Sequence, residues 1–266
     1  MSNLIVTILH SGENIPPEAT WLKTLPEEIL MCDVDRFVDR LYVPSLEKLG
    51  ITFVKTDWHR YVVDLNRIPE DVDAASVEGS SHPAGLHSRG YHWCVTTYDH
   101  LLMKAPLSKS LHQKFTDLIY TPFHQQIQNQ YQQILKNNAE IFHIDAHSMP
   151  SVGTKMHRDP GQRRADIVVS DCSGKSCKPE FKDLVIAAYC TAGFKVAYNW
   201  PYLGGRVTEQ YGRPAMGHHA LQVELVRDLY MDEKTKQFKA DEALKVQKKI
   251  SLALSYIQAH LPLKNK

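Results

Sequence analysis

Two histidines stand at the ends of short apolar runs that read as buried strands. His10 ends Leu4-Ile5-Val6-Thr7-Ile8-Leu9, and His147 follows Ile141-Phe142-His143-Ile144-Asp145-Ala146. In a sheet of parallel type, strand ends line the crevice where ligands bind. A third strand-like run, Ala220-Leu221-Gln222-Val223-Glu224-Leu225, carries a carboxylate in its middle. Imidazoles and carboxylates delivered from separate strands are the components of a catalytic zinc site.

Several short motifs offer the remaining groups. His10-Ser11-Gly12-Glu13 can bring an imidazole and a carboxylate to one divalent ion if the turn folds Glu13 back. Asp33-Val34-Asp35 is a second carboxylate source, although Asp also favours helix starts through capping and the helix dipole. The choice between Glu13 and Asp35 as the carboxylate ligand stays open on spacing alone. Asp145 precedes His147 by two residues and so shares its strand face, where it can orient the imidazole from behind. His143 lies further back on that face and reads as a core residue. Ala220, Gln222 and Glu224 point one way along their strand, and a carboxylate held there beside an ion suits general-base work on water. The competing reading of Glu224 is a salt bridge to Arg227 or another basic group. Arg60 and the run Asp64-Leu65-Asn66-Arg67 bring two guanidinium groups to one segment, and arginine binds carboxylates through paired hydrogen bonds. An acidic substrate follows, with surface ion pairing as the plainer alternative.

Strand and helix signals alternate along the chain. Residues 33–49 follow helical spacing up to Gly50, with Pro44 a kink or an early end. Ile51-Thr52-Phe53-Val54 and Tyr61-Val62-Val63-Asp64-Leu65 read as strands. Residues 69–100 lack a sustained period and read as an active-site cover or a surface excursion. Helical spacing returns over 107–136, interrupted at Pro122, with the Gln-rich stretch 125–133 as its wet face. A strand at 166–169, a helix over 179–192, a strand through Phe194, Val196 and Tyr198, a loop over 202–214 and a closing helix over 241–261 complete the pattern. This alternation predicts an α/β fold, a three-layer α/β/α arrangement around a mostly parallel or mixed sheet. Residues 1–266 are expected to form a single domain.

Composition is that of an ordinary soluble protein, with 43% hydrophobic and 23% charged residues. A net charge of +1 gives no electrostatic case for nucleic acid or an anionic membrane surface. No apolar stretch approaches the roughly 20 residues that span a bilayer, and the N-terminus lacks a signal-peptide pattern, so a cytoplasmic protein is expected. The five cysteines form no CxxC pair and are expected to be reduced thiols. Of the fourteen histidines, His82, His87, His92, His100 and His112 lie in polar surroundings and need no special role. There is no GxSxG elbow, no GxxxxGK[ST] loop and no GxGxxG after the first strand.

Taken together, the motifs resemble the N-formylglutamate amidohydrolase (N-formylglutamate deformylase) family. The matching pieces are His10-Ser11-Gly12 with Ile15-Pro16, Asp35 through Asp39-Arg40-Leu41-Tyr42, and Arg60 through Arg67. They continue with Asp145-Ala146-His147-Ser148, Gly174-Lys175-Ser176-Cys177, Gly204-Gly205, Tyr211-Gly212, Gln222-Val223-Glu224 and Tyr230-Met231-Asp232-Glu233. The resemblance implies a zinc-exopeptidase-like fold and hydrolysis of N-formyl-L-glutamate to formate and L-glutamate, a late step in one route of histidine breakdown. It implies a metal at His10 and His147, with Glu224 as the catalytic carboxylate. For an acidic substrate, Arg60, Asn66 and Arg67 are the residues expected to hold the carboxylates. The family pattern favours Asp35 as the third ligand, whereas the HxxE pair of zinc carboxypeptidases, which look like distant relatives, matches His10 and Glu13. Residues 69–100 depart from the family pattern. The other readings kept in view are a related deacylase or carboxypeptidase, and a non-catalytic module that captures acidic metabolites.

Overall fold

The computed structural model describes residues 2–262. Six strands form one sheet: β1 (Leu4–Ile8), β2 (Thr52–Lys55), β3 (Ile141–Met149), β4 (Ile167–Ser170), β5 (Val196–Tyr198) and β6 (His218–Val226), in the order β2-β1-β3-β6-β4-β5. All neighbours are parallel except β4 and β6, which run antiparallel, so the sheet is mixed as expected. The helices are α1 (Glu27–Leu30), α2 (Val38–Leu49), α3 (Lys109–Phe115), α4 (Thr121–Leu135), α5 (Pro179–Thr191), α6 (Arg206–Tyr211) and α7 (Ala240–His260).

Strand alternation divides the core. Leu4, Val6 and Ile8 of β1, Phe142, Ile144 and Ala146 of β3, and Leu221, Val223 and Leu225 of β6 pack on the buried faces of α2, α5 and α7. The opposite face carries Ile5, Ile141 and Ala220 against α3, α4, α6 and the irregular segment through Tyr91 and Trp93. Three layers result, as the alternation predicted. On that second face β3 and β6 present His143, Asp145, His147, Gln222 and Glu224, all buried. The same pleat that fills one core with aliphatic groups thus gathers polar ones opposite.

Four expectations need correction. Residues 61–65 form no strand: their side chains are buried, but the backbone turns, with Val62 N–H donating to His59 O and Arg67 N–H to Asp64 O. Side-chain bonds hold those turns, from Tyr61 N–H to His59 Nδ1 and from Asn66 N–H to Asp64 Oδ1, and they replace a strand ladder. The helix read from residue 33 begins only at Val38 and runs through Pro44. The carbonyl that Pro44 leaves without a donor, Arg40 O, accepts instead from Gln247 Nε2 on α7 at 2.8 Å, which offsets the lost helix hydrogen bond. The 202–214 loop contains α6. His92 is fully buried, with one ring nitrogen on Val62 O and the other on His112 Nδ1.

Several histidines are buried neutral. Burial pushes His59 and His124 down to about 4 and His92 down to about 3. Their unfolded counterparts take a proton near pH 6.5. Between those limits the unfolded chain binds more protons, so these groups stabilise the fold above pH ~6.5 and lose that contribution as pH falls toward 4. Melting temperature measured from pH 7 to 4.5 should fall with acid, and the slope should shrink in His92→Gln. An unaltered slope in that variant would remove His92 from the acid response.

Candidate active site

The sheet topology selects the location. From β1 the chain leaves to β2 on one side, while β3 lies on the other, so the carboxyl ends of β1 and β3 flank a switch in strand order. His10 follows β1 and His147 sits near the end of β3. The β3–β6 register sets His147 directly opposite Glu224. Asp35 arrives from the segment before α2, its N–H donating to His10 O at 2.9 Å. Phe37, two residues on, holds a left-handed backbone (φ 70°) that turns the chain into the helix.

His10, Asp35 and His147 offer ligand atoms that all lie within 4.8 Å of one another. Asp35 Oδ2 is 3.0 Å from His147 Nδ1 and 3.6 Å from His10 Nδ1, and all three residues are buried. The outer nitrogens are anchored: His10 Nε2 to Asp64 Oδ1 at 2.7 Å, and His147 Nε2 to Asp145 Oδ2 at 2.8 Å. A carboxylate behind each ring favours the Nε2–H tautomer and directs the Nδ1 lone pair inward, the usual arrangement of metal-bound histidine. Buried His10 Nδ1 has no hydrogen-bond partner among the described residues. An orphaned acceptor facing a second imidazole and a carboxylate fits a divalent cation.

The anchoring extends through the sheet. Thr7 Oγ1 donates to Asp145 Oδ1 at 2.6 Å, and its own acceptor side faces His143 Nε2 at 2.9 Å, while His143 Nδ1 meets Tyr131 Oη at 2.9 Å. Burial alone would raise the Asp35 carboxyl, but the neighbouring imidazoles of His10 and His147 hold it well below the usual range. Burial opposes charge on His147 too, and the Asp145 carboxylate outweighs it, so the ring is held well above its ordinary value.

Glu224 lies beside this cluster without joining it. Oε1 accepts from Gln222 Nε2 at 2.6 Å, whereas Oε2 is buried with no partner among the described residues. Burial raises its carboxyl above the ordinary range, with the charge of Asp35 adding to the effect and His147 opposing it. A poised, desolvated carboxylate with one free oxygen can accept and return a proton. The competing salt bridge does not form: Arg227 Nη2 is on Asp35 Oδ1 at 2.9 Å, and the guanidinium also bonds carbonyls of Cys32, Asp33 and Ser148.

Glu13 is not brought to the cluster. Its carboxylate pairs with Arg36, at 2.8 Å to Nε. The turn from Ser11 runs along residues 57–59, with Asn14 N–H donating to Asp57 O and His59 N–H to Asn14 O. A Cβ at Gly12 would lie 2.4 Å from Asp57 C, so this side of the turn is closed. Asp35 takes the place instead. Arg60, Asn66 and Arg67 all line the cavity of about 270 Å³ in front of His10, His147 and Glu224. Arg60 Nη2 bonds Asp64 Oδ2 at 2.9 Å, and Asn66 Oδ1 accepts from Val207 N–H at 2.8 Å. Sequence reasoning missed Arg89, Thr97 and His157 on the same wall, and the role of Asp64. Only Asp64 carried a signal: an Asp two residues before Asn66 is suited to bonding its backbone N–H.

A sequence model of the N-formylglutamate amidohydrolase family matches residues 2–231. The chain is 29% identical to an N-formylglutamate deformylase of Pseudomonas aeruginosa over 234 residues, covering 86% of this chain and 82% of that protein. An N-formylglutamate deformylase of Pseudomonas putida is 26% identical over the same shares. The crystal structure of an N-formylglutamate amidohydrolase from Ralstonia eutropha superposes with a TM-score of 0.84 at 26% identity, over 97% of this chain and 93% of that one.

Proposed function

The chain belongs to the N-formylglutamate amidohydrolase family, hydrolases of an amide bond, and from that membership we propose that it cleaves N-formyl-L-glutamate to formate and L-glutamate with a zinc ion. Such a step would stand late in one route of histidine breakdown. His10, Asp35 and His147 are the residues that would hold the ion. The observation that carries this reading is the pair of imidazoles, each anchored at Nε2 and aimed at Asp35 through Nδ1, with Glu224 opposite His147.

When bound, zinc supplies a Lewis acid that polarises a carbonyl and makes water acidic near neutral pH. The protein performs the proton transfers. Glu224 Oε2, free of other partners, takes the proton from the attacking water; the water oxygen bonds to the formyl carbon. The protonated Glu224 then delivers that proton to the glutamate nitrogen as the C–N bond breaks. Gln222 keeps Glu224 in position through Oε1, and Asp145 and Asp64 keep the two imidazoles in one tautomer. Arg60 and Arg67 supply positive charge to an acidic substrate, with Asn66 tying their wall to α6. The acidic N-acyl amino acid is thus the proposed partner, in keeping with an orthodox enzyme cavity; no described helix is long and apolar enough to cross a membrane.

Metal analysis of the purified protein with a formate-release assay tests the reading. About one zinc per chain is expected, dialysis against a chelator should abolish turnover, and added zinc should restore it. Full activity in metal-free protein would remove the ion from the reaction. Turnover of acetyl or peptidyl glutamate in preference to the formyl compound would move the assignment to a related deacylase.

A further inference from the structure

The charges lining the cavity are unevenly satisfied. Arg60 faces Asp64 at 2.9 Å, and Arg227 faces Asp35 at 2.9 Å, so both guanidiniums are committed to carboxylates inside the site. Arg67 has no carboxylate partner among the described residues: its Nε and Nη1 bond only carbonyls, those of Arg89 and Asn66. The Arg89 guanidinium makes no hydrogen bond or ion pair among the described residues, and its carbonyl is the acceptor that fixes Arg67 at 3.2 Å. Both side chains line the cavity in front of Glu224 and also a shallow outer recess with Asp71 and His87. They therefore stand at the boundary between the reacting groups and the exterior.

The irregular segment is built to hold Arg89 there. Asp73, fully buried, accepts from Gly85 N–H at 3.0 Å and His87 N–H at 2.7 Å. Gly90 N–H closes a turn onto His87 O, and a Cβ at Gly90 would lie 2.2 Å from Asp71 O, so the backbone beside Arg89 is in close contact. Asp64 N–H bonds Tyr91 O on the other side. A guanidinium carried on such a backbone frame and without an ion-pair partner among the described residues is available to a carboxylate.

We propose that Arg89, together with Arg67, binds the side-chain carboxylate of the substrate and makes the enzyme selective for a dicarboxylic N-acyl amino acid. This rests on the amidohydrolase reading above and gives residues 69–100 their role. The α-carboxylate is only two bonds from the scissile nitrogen and stays close to Arg60, whose Nη1 lies 4.0 Å from Asp35 Oδ1. The side-chain carboxylate reaches further out, to the boundary that Arg67 and Arg89 occupy.

The test compares N-formyl-L-glutamate with N-formyl-L-glutamine, which has the same shape without the charge. In Arg89→Met, kcat/KM for the glutamate compound should fall about 10- to 100-fold, mainly through KM, as expected for a lost charge-assisted bond. Turnover of the glutamine compound should change less than about threefold, which also shows that the variant folds. Arg89→Lys should recover part of the selectivity. An equal loss on both substrates, or none on either, overturns the assignment. Calorimetry with glutarate addresses Arg89 apart from turnover: weaker binding in Arg89→Met supports the receptor, and unchanged binding overturns it. Failure of the wild-type protein to release formate, with glutarate binding still dependent on Arg89, would instead refute the proposed reaction alone.

Discussion

Replacing Glu224 by Gln is expected to lower kcat by ~10²–10⁴-fold while zinc content and KM stay near wild type. The separation follows from where the carboxylate stands. Glu224 is opposite His147 but outside the His10–Asp35–His147 group, so removing its charge deletes no ligand. A glutamine has nearly the same shape and can keep the bond from Gln222 Nε2 to the oxygen at position 224. What it lacks is a basic oxygen at the place of Oε2, the atom with no other partner. Formate release under saturating substrate, measured beside metal content, decides the matter. Unchanged turnover with metal retained would exclude Glu224 as the base.

Asp35→Asn should combine two large effects. The first is loss of the proposed anionic ligand, and zinc bound per chain should fall well below one after gel filtration. The second is on folding. Arg227 is buried with its Nη2 on Asp35 Oδ1, and removing one member of a buried ion pair costs about 3–5 kcal/mol. Carbonyl partners at Cys32, Asp33 and Ser148 remain, which argues for about 3 kcal/mol and a fall in melting temperature of about 6–12 °C. Glu13→Gln provides the contrast: its carboxylate lies on Arg36 at a partly exposed site, so metal content should not change. Loss of zinc in the Glu13 variant and retention in Asp35→Asn would reverse the ligand assignment.

The strands that carry the site were legible because their two faces differ. Alternating Phe142, Ile144 and Ala146 mark one core, leaving Asp145 and His147 on the other side, and the same pattern places Glu224 beside Gln222. The helices at 179–191 and 240–260 were legible from apolar periodicity. Which carboxylate joins the two imidazoles was not, because it depended on a turn direction. His10-Ser11-Gly12-Glu13 has suitable spacing, yet contacts with residues 57–59 carry the turn outward, and those residues lie far along the chain. The 61–65 run misled for a related reason: its apolar residues are buried, but turn bonds at His59 and Asp64 fix a non-strand backbone. Residues 69–100 carry no period because their order rests on individual polar groups such as Asp73.

Asp64 accepts from His10 Nε2, Arg60 Nη2, Trp93 Nε1 and Asn66 N–H, with each distance between 2.7 and 2.9 Å. One carboxylate therefore joins an imidazole beneath the cavity to an indole in the segment that frames its rim. Recognition and reactivity share a rivet. Remodelling the rim for a new side chain, if it withdraws the indole, slackens the imidazole as well, so a redesigned specificity should be sought in side chains beyond Trp93 while its anchoring to Asp64 is left intact.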